Sequence, residues 1–177
     1  MAFTVETGSI VANANAYITV AELDAYWLDR AVTLSGDEST KQAAIIIATQ
    51  YVDLNNTWKG EITSQAQALD FPRAYITDNE GRELDKNTIP AQLKYAVCEY
   101  AKRQLNSDIQ PDVSTDERGT LVSISQSIAG AVQESKTYES GTGGYFGIKR
   151  YPLADNYLKG IRAGGVQGNM GRLIRGS

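Results

Sequence analysis

Residues 42–73 read QAAIIIATQYVDLNNTWKGEITSQAQALDFPR, and the fold turns on how this run is read. Its first part places Ala44, Ile47, Ala48, Tyr51 and Leu54 at i, i+3, i+4, i+7 and i+10, an apolar face of helical period. Ile45, Ile46 and Val52 widen that sector beyond one stripe, which suits the centre of a bundle rather than a helix lying on the surface. The second part cannot continue the helix. Asn55, Asn56 and Gly60 are poor helix residues, and Phe71 before Pro72 is pushed towards extended backbone. The run therefore predicts a core helix over 43–54, then an ordered loop pinned by Trp58 and Phe71.

Upstream, residues 1–16 show no period and read as an irregular or weakly extended arm. Thr19 and Glu22 then make a Thr-x-x-Glu capping box, and Ile18 stands where it can staple onto Leu23. Val20, Leu23 and Trp27 predict an amphipathic helix to about Arg30, broken by Ser35-Gly36-Asp37. Ser39 with Gln42 offers a second capping box for the core helix.

Downstream, Thr77 to Glu83 has the Asp, Asn and Gly of a solvated turn. Pro90 suits a first helical turn, and Ile89, Leu93, Ala96, Val97, Tyr100 and Ala101 predict a third helix over Pro90 to Leu105. Residues 106–118 are polar, contain Pro111 and read as a linker. Residues 119–138 alternate as a β-hairpin with a turn near Ala129-Gly130. Pro152 to Ile161 can form a last short helix with Leu153, Tyr157, Leu158 and Ile161 on one side. From Ala163 onward glycines leave a tail that cannot fold alone.

The predicted class is mainly α: a small bundle of three to four helices with an appended β-hairpin and an extended C-terminal tail. Residues 1–105 are the bundle with its arm, 106–148 the linker and hairpin, and 149–177 the short helix and flexible basic tail, all in one domain.

A chain of 177 residues can bury a real core. No apolar run approaches the roughly 20 residues needed to span a bilayer, and the first residues lack the features of a secretory signal, so residence in the cytosol where it is made is the expectation. One cysteine, Cys98, rules out an internal disulfide, and the absence of histidine removes the usual zinc sites and histidine bases. A net charge of −4 disfavours a chain whose main task is to hold a polyanion. That average hides an asymmetry: residues 149–177 carry +5 and residues 1–148 carry −9.

No motif argues for catalysis, and the reading is of a protein that is not an enzyme and needs no cofactor. Glycines in 141–147 lack the Gly-Lys-Ser or Gly-Lys-Thr of a phosphate loop. Asp78, Glu80, Glu83 and Asp85 do not match the spacing of a calcium loop. Cys98 sits in a helix with no histidine partner and reads as a small buried or half-buried residue rather than a nucleophile. Tyr17, Tyr26, Trp27, Tyr51, Trp58, Phe71, Tyr75, Tyr95 and Tyr100 are candidate stacking platforms for single-stranded DNA. Most, however, fall at core spacing and are not interleaved with Lys or Arg. Arg172-Leu173-Ile174-Arg175 offers two apolar anchors flanked by cations, on a tether of about ten residues with a reach of roughly 15 to 20 Å.

These segments together carry a resemblance. Asn15-Ala16-Tyr17-Ile18-Thr19 leading into Ala21 to Trp27, then Ala48 to Asp53, Trp58-Lys59-Gly60, Gln67 to Arg73 and Ile89 to Lys94, are similar to the phage family of DnaT-like single-stranded DNA-binding proteins. The match spans about residues 10–105, with Tyr17, Trp27, Trp58, Gly60, Phe71, Pro72 and Arg73 as its structural motif. Members of this group resemble the head-tail adaptor, or head-completion, proteins of tailed bacteriophages, small helical proteins that form a twelve-subunit ring below the portal.

The resemblance implies a virion structural protein of the neck, docked on the portal, extending the channel for duplex DNA and receiving the next neck or tail-completion protein. It implies Arg162, Met170, Arg172, Leu173, Ile174 and Arg175 as portal-binding residues. Leu121, Val122, Ile124 and Val132 of the hairpin become the contact with a neighbouring subunit. The family label carries the alternative, a replication-type binder of single-stranded DNA. A strand binder needs a basic groove, whereas a lumen through which duplex slides is better served by a wall that does not grip phosphates, so the acidic body favours the adaptor.

Overall fold

Helix α1 (Val20–Leu28) begins at the box predicted for it. Thr19 Oγ1 accepts from Glu22 N at 3.1 Å, and a Glu22 carboxylate oxygen accepts from Thr19 N at 2.7 Å. Ile18 and Leu23, on either side of the cap, are both fully buried. The computed structural model describes residues 2–78, 80–110, 121–128, 132–138 and 151–164, and among these the chain is mainly α.

Helix α2 (Glu38–Leu54) starts earlier than the sequence reading, because Asp37 rather than Ser39 takes the cap. Its carboxylate accepts from Thr40 N at 2.7 Å and places negative charge at the positive end of the helix. Gln42 turns instead to the Glu38 carboxylate. The buried face is Ala44, Ile45, Ala48, Thr49, Tyr51 and Val52. It is turned from the predicted one, so that Ile47 and Leu54 point outward at 37% and 81% exposure. Burial follows where α3 lies, and a helix with apolar residues most of the way round does not reveal which arc the partner covers.

Helix α3 (Ala91–Asn106) is capped by Pro90, and Ile89, Leu93, Ala96, Val97, Tyr100 and Ala101 are all buried, as their spacing requires. It packs mainly on α2 on one side and on α4 (Pro152–Leu158) on the other. Helix α1 is tied to both long helices by charge pairs, Lys41–Asp24 at 2.8 Å and Lys94–Glu22 at 2.7 Å. A buried knot joins three helices: Glu99 accepts from Tyr26 OH at 2.9 Å and from Arg103 at 2.7 Å, while the Tyr26 and Tyr157 hydroxyls meet at 3.4 Å. Leu153 of α4 is half exposed rather than inward; Ala154, Leu158 and Ile161 carry the packing.

The N-terminal arm is irregular as expected, with no helix or strand among its described residues, but it is folded back on itself rather than loose. Val5 bridges Ala16 in parallel, Glu6 N donates to Ala16 O at 2.8 Å, and Asn15 pairs with Thr4 and Ala2. Glu6 is 1% exposed, and its carboxylate accepts from Gly8, Ile10 and Val11 amides at 2.8–3.0 Å, which pins the loop as a closed turn. A Cβ on Gly8 would lie 2.0 Å from Asn87 O, so the arm sits hard against the loop before α3.

The predicted ordered loop contains a short antiparallel pair, β1 (Glu61–Ile62) with β2 (Arg73–Ala74). Strands β3 (Leu121–Ile128) and β4 (Val132–Tyr138) form the antiparallel hairpin, with Ile128 opposite Val132 and a register shift between Leu121 and Ser123. The turn expected near Ala129-Gly130 lies outside the described residues. Two compact units result: residues 110–150 with the hairpin, and the rest with the bundle. Among the described residues no helix is long and apolar enough to cross a membrane.

Candidate functional site

The resemblance motif converges on the loop after α2. Trp58 and Phe71 pack edge to face with ring centroids 5.0 Å apart, and Tyr17 meets Phe71 in the same way at 6.2 Å. Trp58 Nε1 donates to Asp70 at 3.0 Å, Tyr17 OH donates to Asp53 at 2.9 Å, and Phe71 N donates back to Tyr17 OH at 3.1 Å. Arg73 closes the loop from the other side, donating to Lys59 O and Gly60 O at 3.0 and 2.9 Å. Gly60 is required there: its φ is +68°, and a Cβ would lie 2.1 Å from Ala74 O. The Phe71–Pro72 peptide is cis. Trp27, the remaining motif residue, donates from Nε1 to Cys98 O and locks α1 on α3.

This loop also holds the start of the C-terminal segment. Trp58 bridges Arg162 in antiparallel fashion; Lys59 N donates to Ile161 O at 3.0 Å, Ala163 N to Thr57 O at 2.8 Å, and Lys59 Nζ to Gly160 O at 2.7 Å. Residues 160–163 are thus part of the bundle, and a tail can begin only after them. Arg162, taken from sequence with the tail residues, is held at its root, with its guanidinium 3.6 Å from Asp155. Asp155 in turn accepts from Tyr100 OH. Met170, Arg172, Leu173, Ile174 and Arg175 lie outside the described residues. Leu121, Val122, Ile124 and Val132 fall on the two hairpin strands.

Buried acids give the loop its electrostatics. Desolvation pushes the Asp53 carboxyl up to about 7, with the neighbouring Asp70 charge adding to it and the Tyr17 hydrogen bond opposing it. Tyr17 is raised well above the ordinary phenol, chiefly by burial. No cation-holding cluster of three or more acids and thiols occurs among the described residues. A cavity of about 410 Å³ lies between α1 and α3, walled by Tyr26, Tyr95 and Cys98 and edged by Glu22, Arg30 and Lys94. The thiol at its floor is pushed up to about 12, first by burial and then by Glu22 and Glu99, so it is not a thiolate nucleophile at neutral pH.

Seven of the nine candidate stacking aromatics are buried; Tyr75 and Tyr95 are exposed at 70% and 43%. The cations of the bundle are equally committed. Between residues 1 and 109, eight of nine Lys and Arg engage groups of the same chain. Arg30 lies over the Tyr26 ring and Lys102 over Trp27. Sequence reasoning missed the pairing of residues 57–59 with 161–163 and the Asp53–Tyr17–Asp70 contacts, because each joins positions far apart in the chain.

No curated protein and no solved structure matches this chain. The model of the family described as "Putative DnaT-like ssDNA binding protein" matches residues 1–176. With six of the seven motif residues meeting around the loop that roots the C-terminal segment, and the family model covering nearly the whole chain, the protein belongs to that DnaT-like family.

Proposed function

We propose that the chain is a structural head-to-tail adaptor of a tailed phage: a subunit of a ring that docks on the portal, surrounds the exiting duplex DNA and receives the next neck protein. The observation that supports this reading best is the commitment of the bundle's cations. A polyanion binder gains affinity when free Lys and Arg displace condensed counterions from the phosphates, and eight of the nine between residues 1 and 109 are already engaged, on a stretch that carries fifteen acids. The hairpin strands, and by its sequence the basic segment after Gly164, are suited to meeting other proteins.

The family description favours a second reading, a binder of single-stranded DNA. That reading would run through the basic residues from Lys149 onward, with Tyr75 and Tyr95 as the exposed rings.

One pair of experiments separates the two. Mixed with its portal protein and viewed by electron microscopy, the adaptor forms rings on portal; a truncation after Gly164 keeps the bundle folded and loses portal binding. A labelled oligonucleotide held at about 50 mM salt and released steeply by about 200 mM, with no portal affinity, would overturn the adaptor reading in favour of the second.

A further inference from the structure

Asp53 sits in the last turn of α2, at the negative end of that helix, where a further negative charge is disfavoured and no Lys or Arg of the turn offsets it. The loop that follows roofs it. Both carboxylate oxygens lie 2.9 Å from the Tyr17 hydroxyl, and Asp70 N donates to one of them at 3.3 Å. The charged and titratable groups that act on it are Tyr17 before α1, and Asp70 and Arg73 on the loop. Asp70 is a second acid, and the Arg73 guanidinium is turned to Lys59 O and Gly60 O. Lys59 and Arg162, the other cations of the loop and the segment it holds, are turned to Gly160 O and Asp155. An ionised carboxylate so placed has a like charge beside it and, among the described residues, no cation bonded to it, so it gains by reaching water.

The loop that would have to lift is the one that roots the C-terminal segment. Trp58 joins the two tasks: its Nε1 donates to Asp70, and its backbone bridges Arg162. On either side of it Lys59 N donates to Ile161 O and Ala163 N to Thr57 O. Raising Asp70 and Phe71 from Asp53 therefore pulls on the residues that hold 160–163. A local opening of this kind costs less than unfolding the bundle.

We infer that Asp53 is a proton-operated latch on the C-terminal segment: with its carboxyl protonated the loop stays closed and residues 160–163 are held, and with it ionised the loop opens and frees them. The folded carboxyl keeps its proton to about 7 whereas the unfolded one loses it near pH 4, so the latch is firm in mildly acidic solution and slackens as pH rises through about 7. The inference concerns the root alone and holds whatever the segment beyond it binds.

The test is amide hydrogen exchange, resolved by NMR at Lys59 and Ala163, whose N–H groups make the root bonds. Full-length wild type, Asp53→Asn and Asp70→Asn are compared, each rate divided by the intrinsic rate at its pH. From about pH 5.5 to about pH 8, protection at both amides should fall about tenfold or more in wild type and stay level in Asp53→Asn. In Asp70→Asn, where the like charge is gone, the fall should come at lower pH. With trypsin at one pH of about 8, cleavage after Arg162 should be about tenfold faster in wild type than in Asp53→Asn. Circular dichroism checks that the variants fold; if Asp53→Asn does not, the Asp70→Asn shift decides. Level protection in wild type, or the same fall in all three proteins, overturns the latch.

Discussion

Helices α2 and α3 are of similar length and pack against each other, yet they treat water differently. Each buries one face, but α3 finishes its other face with cations, each already paired: Lys94 with Glu22, Arg103 with Glu99, and Lys102 over the Trp27 ring. Helix α2 leaves Ala43, Ile47, Gln50 and Leu54 outward. The same core-forming composition thus gives one helix whose outer side is finished with paired cations and one whose outer side carries no charge over residues 42–52. The contrast teaches that apolar width in a helix sequence does not by itself say which arc the core covers.

The largest effect should come from breaking the finished helix at its buried charge. Glu99→Ala leaves Arg103 and the Tyr26 hydroxyl without their shared acceptor and should cost about 3 to 5 kcal/mol in denaturant unfolding. Leu93→Ala, on the same helix and fully buried, should cost about 3 kcal/mol by the same measurement. Its counterpart on the unfinished side, Leu54→Ala, should stay within about 0.5 kcal/mol for the monomer. If the two leucines gave similar losses in the monomer, the contrast between the helices would fail.

Between these lies a pH effect at the end of α2. Unfolded, Asp53 releases its proton near pH 4, whereas in the fold burial holds it to about 7. The folded state therefore carries an extra proton in that window, and this site's contribution to stability falls as pH rises from about 4 to 7, by about 4 kcal/mol. Asp53→Asn should flatten that part of the stability profile. Unfolding of both proteins at a series of pH values checks it, and parallel slopes would refute it.

The element order was legible in the residues. The Thr19–Glu22 box, the Ile89-to-Ala101 spacing and the break after Leu54 each rest on neighbours within a few positions, where local geometry decides. The Trp58 and Phe71 pins were legible too, since large aromatics in a polar loop must be buried somewhere. Less legible was the arm, whose fold depends on one carboxylate, Glu6, gathering three amides. The root of the C-terminal segment was invisible, because Thr57–Lys59 and Ile161–Ala163 meet across a hundred residues.

The sequence by itself determined that this chain is a helical bundle with a hairpin, an acidic body and a basic end, because helix period, caps and charge are properties of adjacent residues. Only the tertiary structure decided which side of α2 is core, where the C-terminal segment leaves the bundle, and that eight of the nine cations in residues 1–109 are already engaged. Those outcomes depend on which distant segments share a surface, and the free energy that selects them comes from packing and pairing made only when the chain has closed on itself.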